Sequence, residues 1–327
     1  MNTINPTGIV RIEQPGAPNV LKYHMITLKQ PGHGEVLINQ KAIGVNFADV
    51  FYRNGTFPME SYPAPIGLEA SGVIEYVGTG VKDFAVGERV AYYSPPGAYA
   101  EKRILKASEI FKLPDDISFD QAASVIVKGF TAYMLLKQSH EVKAGQVVLI
   151  HAMTGGVGTL LSNWAKSLGA TVIGTVGSAT KKELALKRGF DHVVNLQSED
   201  FADKVTGVTQ GKGIDVVYDG TGEATFQKSL ELIKEGGSAV LYGWPSGMSN
   251  VNMDLFEQKN ICFVRARLND YPAYKEKAGK PIAEIFDLVR NGVFDLQKPS
   301  IYSLADASTA HADLESRKTT GSIILQP

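Results

Sequence analysis

Residues 152–158 read AMTGGVG and lie between an apolar run, VVLIHA, and an amphipathic stretch, GTLLSNWAKSLG. A strand that turns through glycines into a helix presents free backbone N–H groups and the positive end of a helix dipole at one point, which suits a diphosphate. Thr154, Gly155, Gly156, Val157 and Gly158 are therefore candidate cofactor-binding residues. The first glycine of the common dinucleotide fingerprint is Ala152 here, so the flanking elements carry the assignment more than the glycine spacing does. The alternative is an ordinary glycine-rich βα loop.

The next apolar run, residues 171–176, bears on which dinucleotide would bind. A site for an unphosphorylated adenosine ribose usually ends this strand in an acidic side chain. Here the run leads into GSATKK, residues 177–182, with no carboxylate but with a flexible turn, a hydroxyl and two lysines at a helix start. Such groups suit the 2′-phosphate of NADPH, which needs donors. They single out Gly177, Ser178 and Lys181. The plainer alternative is that Lys181 and Lys182 line a solvated helix face.

Neither a metal nor a nucleophilic triad is indicated. His24, His33, His140, His151, His192 and His311 form no ligand motif with one another or with the single cysteine, Cys262. Zinc needs three or four ligands in defined geometry. Cys262 has apolar flanks and is expected to be a buried small hydrophobe. His151, at the end of a buried strand, is expected to be a hydrogen-bonded core residue. No Gly-x-Ser-x-Gly elbow is present.

The elements that must position these residues differ along the chain. Residues 8–108 read as short strands with Gly and Pro punctuation, for example at 35–45, 71–77, 88–93 and 99–105. From about 118 to 264 strands alternate with helices, Ser118 being a plausible N-cap for the first helix. Strands fall at 147–151, 171–176, 191–195, 214–218, 238–242 and 261–265, with helices at 157–168, 180–188 and 224–234. Alternation of this kind means βαβ units and a parallel sheet. Helices at 281–290 and 305–316 and a strand at 322–325 close the chain. One strand cannot form a domain, so it is expected to return to the first, β-rich unit. The fold class is thus α/β, with a doubly wound Rossmann unit (123–264) inserted in a β-rich domain (1–122 and 265–327).

Bulk properties narrow the function. The 327 residues are enough for two domains. A net charge of −1 gives no basic field for nucleic acid. No basic segment followed by an apolar one opens the sequence, and no run approaches the ~18 apolar residues of a membrane helix. With one cysteine, a soluble cytoplasmic protein is the expectation.

From end to end the sequence resembles the zinc-less quinone oxidoreductase branch of the medium-chain dehydrogenase/reductase superfamily, bacterial type. The matching stretches are AIGVNFAD (42–49), GLEASG (67–72), GERV (87–90), GAYAE (97–101), KGFTAY (128–133), the 152–158 loop, VVYD (216–219), and ESR (315–317) followed by GS (321–322). Zinc-dependent relatives carry Gly-His-Glu where this chain has Gly67, Leu68 and Glu69. The resemblance implies a GroES-like catalytic domain, an NADPH-binding Rossmann domain, a cleft between them, and a homodimer built through the Rossmann sheet edge. It implies that Asn46 lies near the nicotinamide, with Asp49 and Arg53 on the same segment. Lys128 and Thr131 would face the cofactor, and Lys181 and Arg317 would contact the adenosine phosphate. Gly243 follows the fifth strand in a cofactor-contacting position. Phe51, Phe57 and Trp244 are candidate walls for a flat acceptor. Relatives often carry tyrosines at positions 51, 57 and 196 and Gly-Asn at 243–244, so the acceptor and adenine contacts of this chain depart from the pattern.

Plainer readings stand beside these. Asn46 could cap a turn, Asp49 and Arg53 form a surface ion pair, Lys128 be solvated, Glu69 be structural, and Arg317 be a helix-end charge. The implied activity is transfer of a hydride from NADPH to a quinone, without metal. The cofactor carries the reactivity, so no side chain is an obligate acid or base. Asn46, Asp49, Phe51, Phe57 and Lys128 are the candidates for the reaction site. The alternatives are an NADPH-dependent alkenal or enone reductase and a non-enzymatic NADPH-binding protein.

Overall fold

The computed structural model of the chain describes residues 6–247, 253–268, 275–316 and 318–327. It falls into two compact units, 1–127 with 272–290 and 296–327, and 128–271 with 291–295.

The first unit opens with β1 (Thr7–Ile12) and β2 (Leu21–Ile26), then β3 (Glu35–Val45), the short helix α1 (Phe47–Arg53) and β4 (Ala64–Pro65). Strands β5 (Glu69–Val77), β6 (Arg89–Tyr93), β7 (Lys102–Lys106) and β8 (Ile110–Lys112) follow. β3 pairs antiparallel with both β5 and β7, and β5 continues through β6 to β8. β1 lies between β2 and β4 in a second, three-stranded sheet. Their core includes Val36, Ile38, Ile43, Val90, Tyr92 and Tyr99, all at most 2% exposed.

Helix α2 (Phe119–Met134) starts with a reciprocal cap. Gln121 N–H donates to Ser118 Oγ at 3.1 Å, and Ser118 N–H donates to Gln121 Oε1 at 2.8 Å. The unit boundary falls inside this helix, between 127 and 128. Ala123, in its first half, packs with Ala42 and Ile324 of the first unit, which explains why the division comes later than the 122/123 position expected from sequence.

The second unit contains β9 (Val147–Ile150), α3 (Gly156–Ser167), β10 (Thr171–Val176), α4 (Ala179–Lys187), β11 (His192–Asn195), α5 (Phe201–Thr209), β12 (Ile214–Asp219), α6 (Phe226–Glu231), β13 (Ile233–Leu241), α7 (Met253–Gln258) and β14 (Cys262–Arg265). All six strands are parallel, in the order β11-β10-β9-β12-β13-β14. Numbered within the unit this is 3-2-1-4-5-6, the Rossmann order. β12 is buried at every residue, as expected for a strand covered on both faces. Residues 291–295 belong here because Phe294 packs edge-on to Trp164 and Asp295 lies 3.7 Å from Arg188.

Returning to the first unit, α8 (Lys275–Arg290), β15 (Ser300–Ser303), α9 (Ala307–Glu315) and β16 (Ile323–Gln326) complete the chain. β16 pairs antiparallel with β3, so the last strand does close the first sheet.

Cys262 departs from expectation: it is exposed. Among the described residues β14 is the last strand of its sheet, and Cys262 at its start is exposed while Ile261 just before it is 7% exposed, the alternation of an extended segment.

Candidate functional site

In the second unit β9 and β10 are register-paired, Ile150 opposite Gly174, so their carboxyl ends share one edge. The loops that follow them bring residues 152–158 and 177–181 to that edge. Ala152 sits in the left-handed region, φ 52°, and its carbonyl accepts from Gly155 N–H at 2.9 Å. Gly155 is the N-cap of the 12-residue α3, whose first amides are unsatisfied within the helix. Thr154 and Gly158 are buried, Gly156 and Val157 half-buried, and Gly155 exposed.

Two glycines here differ in what they serve. A Cβ on Gly158 would overlap the Ala152 carbonyl, so the turn itself requires glycine. A Cβ on Gly177 would meet nothing within 4 Å. The space beside the Gly177 Cα is therefore open, which leaves room for a ligand to approach the backbone there.

Ser178 caps α4, its Oγ accepting from Lys181 N–H at 3.3 Å; a hydroxyl that accepts can still donate. Lys182 is committed elsewhere, 2.6 Å from both carboxylate oxygens of Glu199. That hydrogen bond, with a second from Asn195 N–H, holds the Glu199 carboxyl below its ordinary range. Lys181 follows Ser178 in the first turn of α4, and its N–H is the one that the Ser178 hydroxyl caps. Arg317, its expected companion, lies outside the described residues. At the carboxyl ends of β13 and β14, half-buried Gly243 precedes Trp244, whose ring lies under the Arg265 guanidinium at 4.7 Å.

His151, immediately before the loop, is fully buried. Its Nε2 is 2.8 Å from Ser229 Oγ, and that hydroxyl donates to Thr225 O. His151 Nε2 therefore carries the proton, and Nδ1 accepts from Thr175 Oγ1 at 2.9 Å. Burial pushes its pKa down, so Asp219 Oδ2 at 3.8 Å faces a neutral ring. It is a core residue, as expected.

The candidates of the first unit are assembled differently. Asn46 is the N-cap of α1, and Asp49 Oδ2 accepts from Asn46 N–H at 2.7 Å. The Asn46 side chain reaches across to β5: Nδ2 donates to Glu69 Oε1 at 2.7 Å. Asp49 and Arg53 are not a surface pair. They are 0% and 1% exposed, and Arg53 forms a two-pronged bond with Glu315 of α9 at 2.8 and 2.9 Å. Arg53 also donates to Gly16 O at 3.0 Å.

Between Arg53 and Asp49 runs a buried relay. Arg53 can only donate, so His311 Nδ1, 3.2 Å away, is the acceptor. His311 Nε2–H then donates to Tyr99 Oη at 2.8 Å, and Tyr99 donates to Asp49 Oδ2 at 3.2 Å. Burial first, then the Arg53 charge, depresses His311 to about 3. Burial and Asp49 raise Tyr99 well above its ordinary value. The relay is therefore neutral at His311 and Tyr99 over the physiological range.

Phe51 stacks edge-on with Phe47 at 5.4 Å and with Phe57 at 5.2 Å, and Tyr52 joins Phe57 at 5.2 Å. All four rings are only half-buried, so the first unit presents an aromatic face beside Asn46. Lys128 and Thr131, on α2, are 5% and 8% exposed; a solvated Lys128 is ruled out. Sequence reading passed over Tyr99, His311 and Glu315 because nothing in local spacing joins residues 212 or 262 positions from their partners.

Leu68, where zinc-dependent relatives carry histidine, is buried. Among the described residues no three His, Cys, Asp or Glu side chains gather as a metal site. Among them, too, no helix is long and apolar enough to cross a membrane.

Residues 32–115 match the family model for an alcohol dehydrogenase GroES-like domain, and residues 156–283 the one for a zinc-binding dehydrogenase. A quinone oxidoreductase of Pseudomonas aeruginosa is 39% identical over 315 residues, 95% of this chain and 97% of the relative. A 2-haloacrylate reductase of a Burkholderia species is also 39% identical, over 97% of this chain and 98% of its own length. The crystal structure of Escherichia coli quinone oxidoreductase complexed with NADPH superposes with a TM-score of 0.93 at 38% identity, covering 98% of this chain and all of that one.

Proposed function

Because the chain belongs to the zinc-less quinone oxidoreductase branch of the medium-chain dehydrogenase/reductase superfamily, we propose that it reduces a quinone with NADPH and without a metal. The observation that carries the cofactor assignment is the paired loops at the carboxyl ends of β9 and β10. One offers the amides of α3; the other has open space at Gly177, a hydroxyl at Ser178, Lys181, and no carboxylate. When bound, NADPH supplies the hydride.

The residues divide the remaining work. Thr154 to Gly158 receive the diphosphate, and Gly177, Ser178 and Lys181, with Arg317, the 2′-phosphate. Asn46, Lys128, Thr131 and Gly243 border the rest of the cofactor. Phe51 and Phe57 give a flat acceptor an apolar face, and Asp49 holds the turn that carries Asn46. The product oxygen can take its proton from water, so no side chain need titrate. Among the described residues β14 pairs with β13 alone, and that edge supports a homodimer built through the second unit's sheet, which light scattering after gel filtration would test.

The 39% identity to a 2-haloacrylate reductase favours a second reading, reduction of a conjugated alkene by the same cofactor. NADPH oxidation measured with a hydrophobic ortho-quinone, benzoquinone, an enone and 2-chloroacrylate separates the two. The proposal expects the hydrophobic quinone to have the highest kcat/KM; a higher value for the acrylate would replace it with the second reading.

A further inference from the structure

The Gly-Leu-Glu stretch keeps its glutamate although Leu68 stands where metal-binding relatives have histidine. Glu69 is 0% exposed, at the first position of β5. Its Oε1 accepts from Asn46 Nδ2 at 2.7 Å, and its Oε2 accepts from the backbone N–H of Val127 at 2.8 Å. The second contact is unusual in kind. Val127 lies in the interior of α2, where an amide ordinarily serves the carbonyl four residues back; here it reaches a side chain on a strand. Gly44 of β3 makes room for the arrangement, since a Cβ there would overlap both Glu69 Oε1 and the Ala123 carbonyl. One carboxylate thus binds the cap of α1 to the middle of α2, the residue before Lys128.

We propose that Glu69 is a positioning residue for hydride transfer, anchored by the Val127 amide of α2 and fixing the Asn46 amide. This rests on the reading that places Asn46 beside the nicotinamide. Fixing an amide on a buried charge is an effective way to orient it, because a buried carboxylate left without its donors is strongly disfavoured. Misplacement of a contacting group by as little as 1 Å can cost on the order of 100-fold in rate. The diphosphate and 2′-phosphate contacts belong to other elements, so cofactor affinity should survive loss of Glu69.

The test uses the full-length enzyme with NADPH and a hydrophobic ortho-quinone, comparing wild type, Glu69→Gln, Glu69→Asp, Asn46→Ala and the Asn46→Ala/Glu69→Gln double variant. Gln turns one acceptor into a donor facing a donor; Asp keeps the charge but shortens its reach, and guards against a Gln variant that does not fold. The expected result is a kcat lowered about ten- to a hundredfold in each single variant, an NADPH Kd within about threefold of wild type in the two Glu69 variants, and a double variant no slower than Asn46→Ala alone. Effects that multiply in the double variant, NADPH affinity falling in step with kcat, unimpaired Glu69 variants, or failure of both Glu69 variants to fold would each overturn the positioning role. Asn46→Ala at the wild-type kcat would instead overturn the placement of Asn46, and this proposal with it. NADPH binding and quinone reduction by the wild type would stand in either case.

Discussion

The two units hold their candidate residues by different means. In the second unit, backbone does the work: a turn at Ala152, amides at the start of α3, and the bare Cα of Gly177 beside a capped helix. In the first unit the backbone only frames a chain of side chains, buried from Arg53 through His311 and Tyr99 to Asp49 and met at its outer end by Glu315, with the Asn46–Glu69 pair beside it. A backbone site tolerates many side-chain changes but few at its glycines. A buried polar network tolerates almost none, because each removed partner leaves another group unsatisfied.

The largest effect should therefore come from the first unit. Replacing Arg53 by Met leaves His311 Nδ1 and the Gly16 carbonyl without their donor, and the expected loss of stability is about 2–4 kcal/mol. In the second unit the partly exposed Lys182–Glu199 pair should contribute about 0.5 kcal/mol or less to stability. Urea unfolding of Arg53→Met and Lys182→Met measures both. Similar losses would erase the distinction.

Next comes cofactor choice. Lys181→Ala should weaken NADPH about ten- to a hundredfold, the effect of losing one charge-assisted hydrogen bond of roughly 1.5–3 kcal/mol. NADH, which lacks the 2′-phosphate, should respond little. Calorimetric titration of both cofactors decides it; equal weakening of NADH would make Lys181 a structural residue.

The relay also has a pH signature. His311 is held near 3 in the folded protein against an ordinary 6.5. Below about pH 6.5 the unfolded chain takes up a proton there and the folded chain does not, so stability falls as pH drops. The contribution is about 2 kcal/mol at pH 5. His140 and His151, both lowered chiefly by burial, act in the same direction. His311→Gln can still accept from Arg53 and donate to Tyr99 but cannot titrate. Its stability should fall less between pH 7 and 5 than that of wild type, as denaturation at the two pH values would show.

The smallest effect tests the phosphate turn. Ala152 holds a left-handed conformation, φ 52°, that costs a residue with a Cβ about 1 kcal/mol. Ala152→Gly should leave stability unchanged or raise it by up to about 1 kcal/mol, with NADPH affinity kept. A clear loss of stability would mean that the Ala152 methyl makes packing contacts that matter.

This division also explains what could be read in the sequence. Strand and helix alternation, the glycine loop and the missing carboxylate after β10 are local patterns, and they placed the Rossmann unit and its candidate residues. Helix α5 went unread because Val205, Thr206, Gly207, Val208 and Thr209 are poor helix formers. Tertiary burial of Phe201 and Val205, and the Asp200 cap on Ala202 N–H, override that propensity. Cys262 was misjudged because flanking residues do not reveal which side of an edge strand is covered. In the first unit, Asn46 and Asp49 were legible only through resemblance. Their partners lie 23 and 50 residues away, and Arg53 meets His311 across 258. Only the folded sheet, with β16 returning to β3, brings those positions together.

The most direct test of the account is quinone reduction driven by each cofactor. Hydroquinone formation from a hydrophobic ortho-quinone, measured in the presence of a zinc chelator, should proceed with NADPH at a kcat/KM at least about tenfold above that with NADH, equivalent to one phosphate contact. Equal rates with the two cofactors, or activity abolished by the chelator, would contradict it.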